Sequence, residues 1–197
     1  CYDADKGVVF MSIEQFKSIV KNSNNIVFFG GAGVSTESNI PDFRSEIGLF
    51  TTEDNHSYPP EVMLSYSLFK RHPEDFFQFH KNHMIHKDAK PNPAHIALAD
   101  LEKQGKLKAI ITQNIDGLHQ AAGSENVLEL HGSVHRNYCM KCKKQFDLDY
   151  VLNSLDIVPR CDDCNNIVRP DVVLYEEGLD HNTLSQSTYY IENADVL

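Results

Sequence analysis

No apolar run in this 197-residue chain approaches the roughly 18 residues that a membrane span requires, and no basic segment followed by an apolar stretch opens it. A membrane partner is therefore not expected, and a cytoplasmic location is. Basic residues are also scarce, with 18 Lys and Arg against 28 Asp and Glu, a net charge of -10 and no clustered basic run. Phosphate contacts need such clusters, so direct nucleic-acid binding is not expected, and lysine-rich protein segments suit the charge better. Internal repeats and low-complexity tracts are lacking too. With 41% apolar and 23% charged residues, the chain reads as one large domain with a small insert, able to bury a core.

What is present begins with five cysteines. In a chain without export signals they are expected to be reduced thiols, and four of them form two C-x-x-C pairs. Eighteen residues separate the pair Cys139 and Cys142 from the pair Cys161 and Cys164, inside the window of two knuckles sharing one tetrahedral zinc. Four thiolates leave no open position on the metal, so the ion is expected to be structural. Cys1 is the odd cysteine, and residues 1–10 read as an irregular leader or tail.

Ser12 with Gln15 makes a capping box, and Ile13, Phe16, Ile19 and Val20 share a face, which predicts a helix from Ser12 to about Lys21. Ile26-Val27-Phe28-Phe29 is a wholly apolar run ending in Gly30-Gly31-Ala32-Gly33, as a buried parallel strand entering a tight turn would be, followed by an irregular segment. Asn92, Pro93 and Gly105 bracket a second helix with Ile96, Ala97 and Leu101 on its apolar face. Leu107 to Ile111, Val127 to Leu130 and Val172 to Tyr175 read as further short strands. Polar residues follow each one at once, and they mark the ligand edge of an open parallel sheet. The predicted fold class is α/β, an open parallel sheet with a small inserted zinc-binding domain. Ser45 to Tyr58 reads as a mobile loop.

Gly31-Ala32-Gly33 after a strand lets backbone approach a pyrophosphate, because glycine removes the side chain that would block it. By itself this is weak, since the dinucleotide fingerprint wants a third glycine where this chain has Thr36. The motif has company: Gly31-Ala-Gly-Val-Ser-Thr-Glu-Ser-Asn-Ile-Pro-Asp-Phe-Arg44, then Thr112-Gln-Asn-Ile-Asp-Gly-Leu-His119, then His131-Gly-Ser133, then the cysteine quartet. In this order, from about Ile13 to Leu197, the chain resembles the sirtuin family of NAD-dependent protein lysine deacylases.

The resemblance implies NAD and an acyl-lysine protein substrate meeting in a cleft between a large and a small domain. It assigns 11–133 and 169–197 to the Rossmann-like part, 134–168 to the zinc module, and 45–90 to a cofactor loop and the helical part of the small domain. It implies that Gly31, Ala32, Gly33 and Thr36 line the phosphates and ribose of NAD, with Asp42, Phe43 and Arg44 on the loop that closes over it. Asn39 replaces the family's usual glycine, and Asn tolerates positive φ better than other side chains. Gln113, Asn114, Ile115 and Asp116 would contact the ribose and the nicotinamide, with Asp116 on the carboxamide. His131 would be the general base, a task suited to a near-neutral pKa. The remaining histidines, including His80, His83 and His86, match no motif and are expected at the surface.

Val173 would lie near the acyl-lysine of a peptide added as a strand. Tyr175-Glu176-Glu177 stands where the family more often shows Phe-Gly-Glu, and the extra carboxylate suits basic flanks. Phe76-Phe77-Gln78-Phe79-His80 lacks the Tyr-x-x-Arg pair of members that prefer acidic acyl groups, so an uncharged acyl such as acetyl is expected. Asn193 to Leu197 reads as the beginning of another buried strand, and the resemblance implies a continuation around the adenosine. Two other functions share some of these features. A protein mono-ADP-ribosyltransferase would use the same NAD site, and a non-catalytic zinc-knuckle module would use the cysteines alone.

Overall fold

The computed structural model describes residues 11–43 and 58–197. The first capping box forms as read: Ser12 Oγ accepts from the Gln15 N–H and Gln15 Oε1 accepts from the Ser12 N–H, at 3.2 and 2.8 Å, opening helix α1 (Ile13–Asn22). Of its apolar face only Val20 packs on the core, and Ile13, Phe16 and Ile19 are exposed.

Strands β1 (Ile26–Gly30), β2 (Leu107–Thr112) and β3 (Val127–Glu129) form a parallel sheet in the order β1-β2-β3. Their near-continuous apolar composition suits strands covered on both faces. Val27, Ile111 and Leu128 pack towards Tyr190 and Ile191 of helix α7 (His181–Glu192), while Ile26, Leu107 and Ile110 pack on Val20, Leu98 and Leu101. Val196 bridges parallel to Ile26, as expected of an incipient strand there.

Helix α5 (Pro93–Lys103) has its predicted brackets, with Asn92 as N-cap and Gly105 at φ 72 beyond the end. Its buried face differs from the expectation: His95 and Ala99 are buried, with Leu98 and Leu101 beside them, while Ile96 and Ala97 point outward. The cap sets this rotation. Asn92 Oδ1 accepts from the Ala94 and His95 N–H groups, and His95 Nδ1 takes the Asn92 N–H, so the third helical residue must turn inward.

The segment after β1 is not irregular. Ala32–Ser38 is a 3-10 helix closed by Asn39 at φ 61, the left-handed conformation that asparagine tolerates.

A second sheet, antiparallel, has the order β5-β4-β6, with β4 (Gly132–Cys139) between β5 (Gln145–Phe146) and β6 (Val168–Val172). The strand expected at Val172 to Tyr175 in the parallel sheet is therefore corrected. The strand is β6, it lies four residues earlier, and it pairs with β4. The second sheet thus begins before residue 134 and ends after residue 168. Helices α2 (Pro60–Met63), α3 (Tyr66–Arg71) and α4 (Pro73–Phe79) and a π-helical turn, His80–Met84, build an aromatic cluster around Phe69, Phe76, Phe77 and Phe79.

Gly132 joins the two sheets. It sits at φ 75, and a Cβ there would collide with the carbonyl of Asp171 on β6. Gly132→Ala is expected to destabilise the zinc-loaded protein by about 2–4 kcal/mol, from left-handed strain plus overpacking, read as a lower urea midpoint at unchanged slope.

Candidate metal centre and cleft

Cys139, Cys142, Cys161 and Cys164 bring their sulfurs within 4.8 Å of one another. The Cys139–Cys164 and Cys142–Cys161 sulfur separations are 3.4 and 3.6 Å. Both are far beyond a disulfide bond and close to the edge of about 3.8 Å of a tetrahedron with 2.3 Å zinc–sulfur bonds. The two knuckles repeat one backbone design. Lys143 N–H donates to Cys139 O and Asn165 N–H to Cys161 O, at 3.1 and 2.9 Å, while Cys139 N–H and Cys161 N–H donate to Lys144 O and Asn166 O. Lys143 and Asn165 both take positive φ, 62 and 56, to turn the chain back. The Lys141 and Cys142 N–H groups also point at Cys139 Sγ, as donors to a thiolate do. The donor set and its spacing fit one structural zinc.

A cleft of about 460 Å³ opens at the C-terminal ends of the parallel strands. Ala32, Phe43, Gln113, Asn114, Ile115, Asp116, His131 and Val173 line it together. Gly31, Gly33, Thr36 and Asp42 lie off its wall, and Arg44 and the loop from Ser45 fall outside the described residues. The glycines still leave the backbone open: a Cβ on Gly31 would press on Gln113 Oε1 at 3.4 Å, and beside Gly33 there is only space. Thr36 Oγ1 donates to Gly33 O and faces solvent.

Ser35, which the sequence reading passed over within the glycine motif, is fully buried and central to this wall. Its hydroxyl donates to Asp116 Oδ2 at 2.7 Å and accepts from Asn114 Nδ2 at 3.0 Å, while Asp116 Oδ1 accepts from the Leu118 N–H at 2.9 Å. Leu118 begins helix α6 (Leu118–Ala121), so the carboxylate is held between the 3-10 helix and α6.

His131 leaves the end of β3 with Nδ1 at 2.9 Å from the Gln113 carbonyl oxygen. That oxygen can only accept, so the proton is assigned to Nδ1, and Nε2 keeps its lone pair. The Val173 N–H donates to His131 O at 3.0 Å, tying the His131 backbone to the segment after β6.

Residues 31–197 match the model of the Sir2 family. The chain belongs to the Sir2 family. It is 66% identical over 185 residues to an NAD-dependent protein deacetylase of Clostridium acetobutylicum, covering 94% of this chain and 76% of that protein. The deacetylase of Clostridium tetani is 67% identical over 93% of this chain and 74% of its own length. Among solved structures, a Sir2 complex with p53 peptide and NAD+ superimposes with TM-score 0.80 at 39% identity, over 94% of this chain and 75% of that one. Another, from work on sirtuin substrate affinity, gives TM-score 0.84 at 39% identity over 95% and 77%.

One expectation for this Sir2-family chain needs correction. Its histidines are not all at the surface: His80, His95 and His119 are buried, and His80, His83 and His86 line the cleft. His80 lies flat against Phe76 at 5.6 Å, and His119 packs tilted against His95 at 4.7 Å, burial that no local motif registers. The extra carboxylate at the cleft mouth is exposed and also braces the chain locally. Glu176, at φ 79 where glycine would be unstrained, accepts from the Ser67 N–H in the first turn of α3 at 2.9 Å. Glu177 grips Arg169 with both oxygens, at 2.8 and 2.9 Å.

Metal analysis of the purified chain is expected to give one zinc per molecule. Removing it by chelation should speed amide exchange across Gly132–Cys139 and Val168–Val172 while leaving the parallel strands protected. Acid should act elsewhere. Burial pushes His80 and His119 from 6.5 down to about 4, so between those values the unfolded chain binds protons that the folded one does not. Their stabilising effect is complete above about pH 6.5 and is lost as pH falls through about 4, at about 1.4 kcal/mol per pH unit for each histidine. Urea midpoints from pH 7 to 5 should show this slope, and His80→Phe, stacked on Phe76, should flatten it.

Proposed function

We propose that this Sir2-family chain is an NAD-dependent protein lysine deacetylase, moving an acyl group from lysine to ADP-ribose with release of nicotinamide. The observation that carries the reading is His131: a base with its proton assigned to Nδ1 faces the same cleft as the Ser35–Asn114–Asp116 cluster. High identity to named deacetylases of two clostridia supports it.

NAD, when bound, supplies an anomeric carbon that loses nicotinamide and a ribose hydroxyl that takes the acyl group. The chain's own residues do the rest. His131 Nε2 accepts a proton from the ribose, and the Gln113 carbonyl holds the imidazole in the tautomer that can do so and steadies the imidazolium formed. Asp116 and Asn114, locked together through Ser35, hold the nicotinamide carboxamide. Ala32 and the open backbone at Gly31 and Gly33 pass along the phosphates, with Thr36 and Asp42 behind them. Phe43, packed on the aromatic cluster, helps exclude water that would waste NAD, and Arg44 continues the same motif. Gln113 and Ile115 flank the ribose and Val173 the acyl-lysine. The zinc is not a reactant, because four thiolates fill its coordination.

The large domain, in this reading, takes in 11–133 and 169–197, and the small one the zinc module, 134–168, with the helical part and cofactor loop, 45–90. No helix of the described residues is long and apolar enough to cross a membrane. We place the protein in the cytoplasm, because a thiolate zinc site needs reduced cysteines. Phe43, Leu64, Met84 and Leu174 give the cleft an apolar wall that suits an uncharged acyl group.

One assay tests the reading. Native chain with NAD and acetyl-lysine peptide should release nicotinamide and deacetylated peptide in equal amounts, and faster than with succinyl-lysine peptide. His131→Ala should keep its zinc and its fold and lose at least about 100-fold in turnover. Retained turnover in that variant would remove His131 from the chemistry.

A further inference from the structure

The loop Gln113–Asp116 is gripped from one side by the first half of β4 and the residue before it. His131 Nδ1–H donates to Gln113 O at 2.9 Å, Val134 N–H to Ile115 O at 3.1 Å, and His135 Nε2 lies 2.9 Å from Asp116 O. A carbonyl only accepts, so His135 carries its proton on Nε2 and donates. Three donors within five residues thus fix three carbonyls within four. Two of the three are histidine side chains, and only His131 has been given a task.

The His135 ring also fills the space in front of Gly117. A Cβ on that glycine would stand 2.8 Å from His135 Cδ2 and 2.9 Å from Nε2, and its φ of 73 already favours glycine. The imidazole is thus seated on the peptide unit that follows Asp116, the residue whose carboxylate Ser35 and the Leu118 N–H hold from the cleft side. At its far end β4 reaches Cys139, the first of the four zinc ligands.

We infer that His135 is a positioning residue for the nicotinamide side of the cleft, carrying the placement of the zinc-held strand to Asp116 through the Asp116 carbonyl. The inference rests on the proposed reaction only for the role of Asp116. The imidazolium form donates from Nε2 as well, so the contact survives acidification and is read from binding and loop protection.

The experiment compares native chain, His135→Leu, which keeps bulk and loses the donor, and His135→Gln, whose amide donates from a similar reach. The Leu variant should raise the KM for NAD by about 3- to 10-fold, the worth of one hydrogen bond, with peptide KM and zinc content at native values. Hydrogen exchange of the amides from Asn114 to Leu118, measured on zinc-loaded protein without NAD, should quicken in parallel. His135→Gln should restore both readings. Equal effects of Leu and Gln, no effect of either, or unchanged exchange would overturn the inference. If native chain releases no nicotinamide, the functional reading fails, and the exchange comparison still decides whether His135 holds the loop.

Discussion

The chain leaves its parallel sheet for its antiparallel one at a single residue, Gly132, where β4 passes so close to the Asp171 carbonyl that no side chain fits. Much around the cleft depends on that crossing. His131 precedes it and so stands at the end of β3, its backbone carbonyl taken by Val173. Val134 and His135 follow it and reach back to the loop after β2. Seven residues beyond the crossing comes the first zinc ligand, Cys139. His131, the loop after β2, Val173 and the first cysteine are therefore all tied to one short piece of chain, residues 131–139, and their relative positions are set by short-range pairing rather than by long flexible side chains.

The segment after β6 is fixed by a different force. Arg169 is buried, and a buried guanidinium is costly unless paired. It meets Glu177 through two parallel bonds, donates to Val172 O and Pro170 O, and lies over the Phe69 and Tyr138 rings at 5.3 and 5.9 Å. Engaging all three guanidinium nitrogens ties residues 172 and 177 to one side chain and holds the segment between them in a curve. The same Glu177 takes the Leu174 N–H at 3.0 Å. Val173 can thus border the cleft in a segment that belongs to neither sheet.

What was legible in the sequence follows from how local each determinant is. Capping boxes act over three residues and cysteine knuckles over five, so Ser12, Asn92 and the four thiols announced themselves. The parallel strands showed through apolar runs for the same reason. The orientation of α5 did not show, because His95 counts as polar in any periodicity yet is turned inward by the Asn92 cap. β6 was misplaced because Val168-Arg169-Pro170-Asp171-Val172 lacks an apolar run, and its pairing with β4 depends on a partner some thirty residues away. Ser35 was hidden by its ordinariness, since a serine in a glycine-rich turn gains meaning only when Asp116 and Asn114 arrive from 81 and 79 residues away.

The zinc is where the local and the long-range determinants meet. The two knuckles repeat one local backbone design, yet the sheet that carries them has a small core: Cys139, Val151, Cys161 and Val168 are its buried cluster, with Phe146, Tyr150 and Cys164 partly buried against them. So small a core gives limited hydrophobic stability, and metal ligation is the usual remedy. The metal therefore stabilises a strand whose other end lies beneath the cleft. It needs no open coordination site to matter at the cleft, because what it supplies is the fixed position of β4, and the Gln113, Ile115 and Asp116 carbonyls are held from that strand and the residue before it.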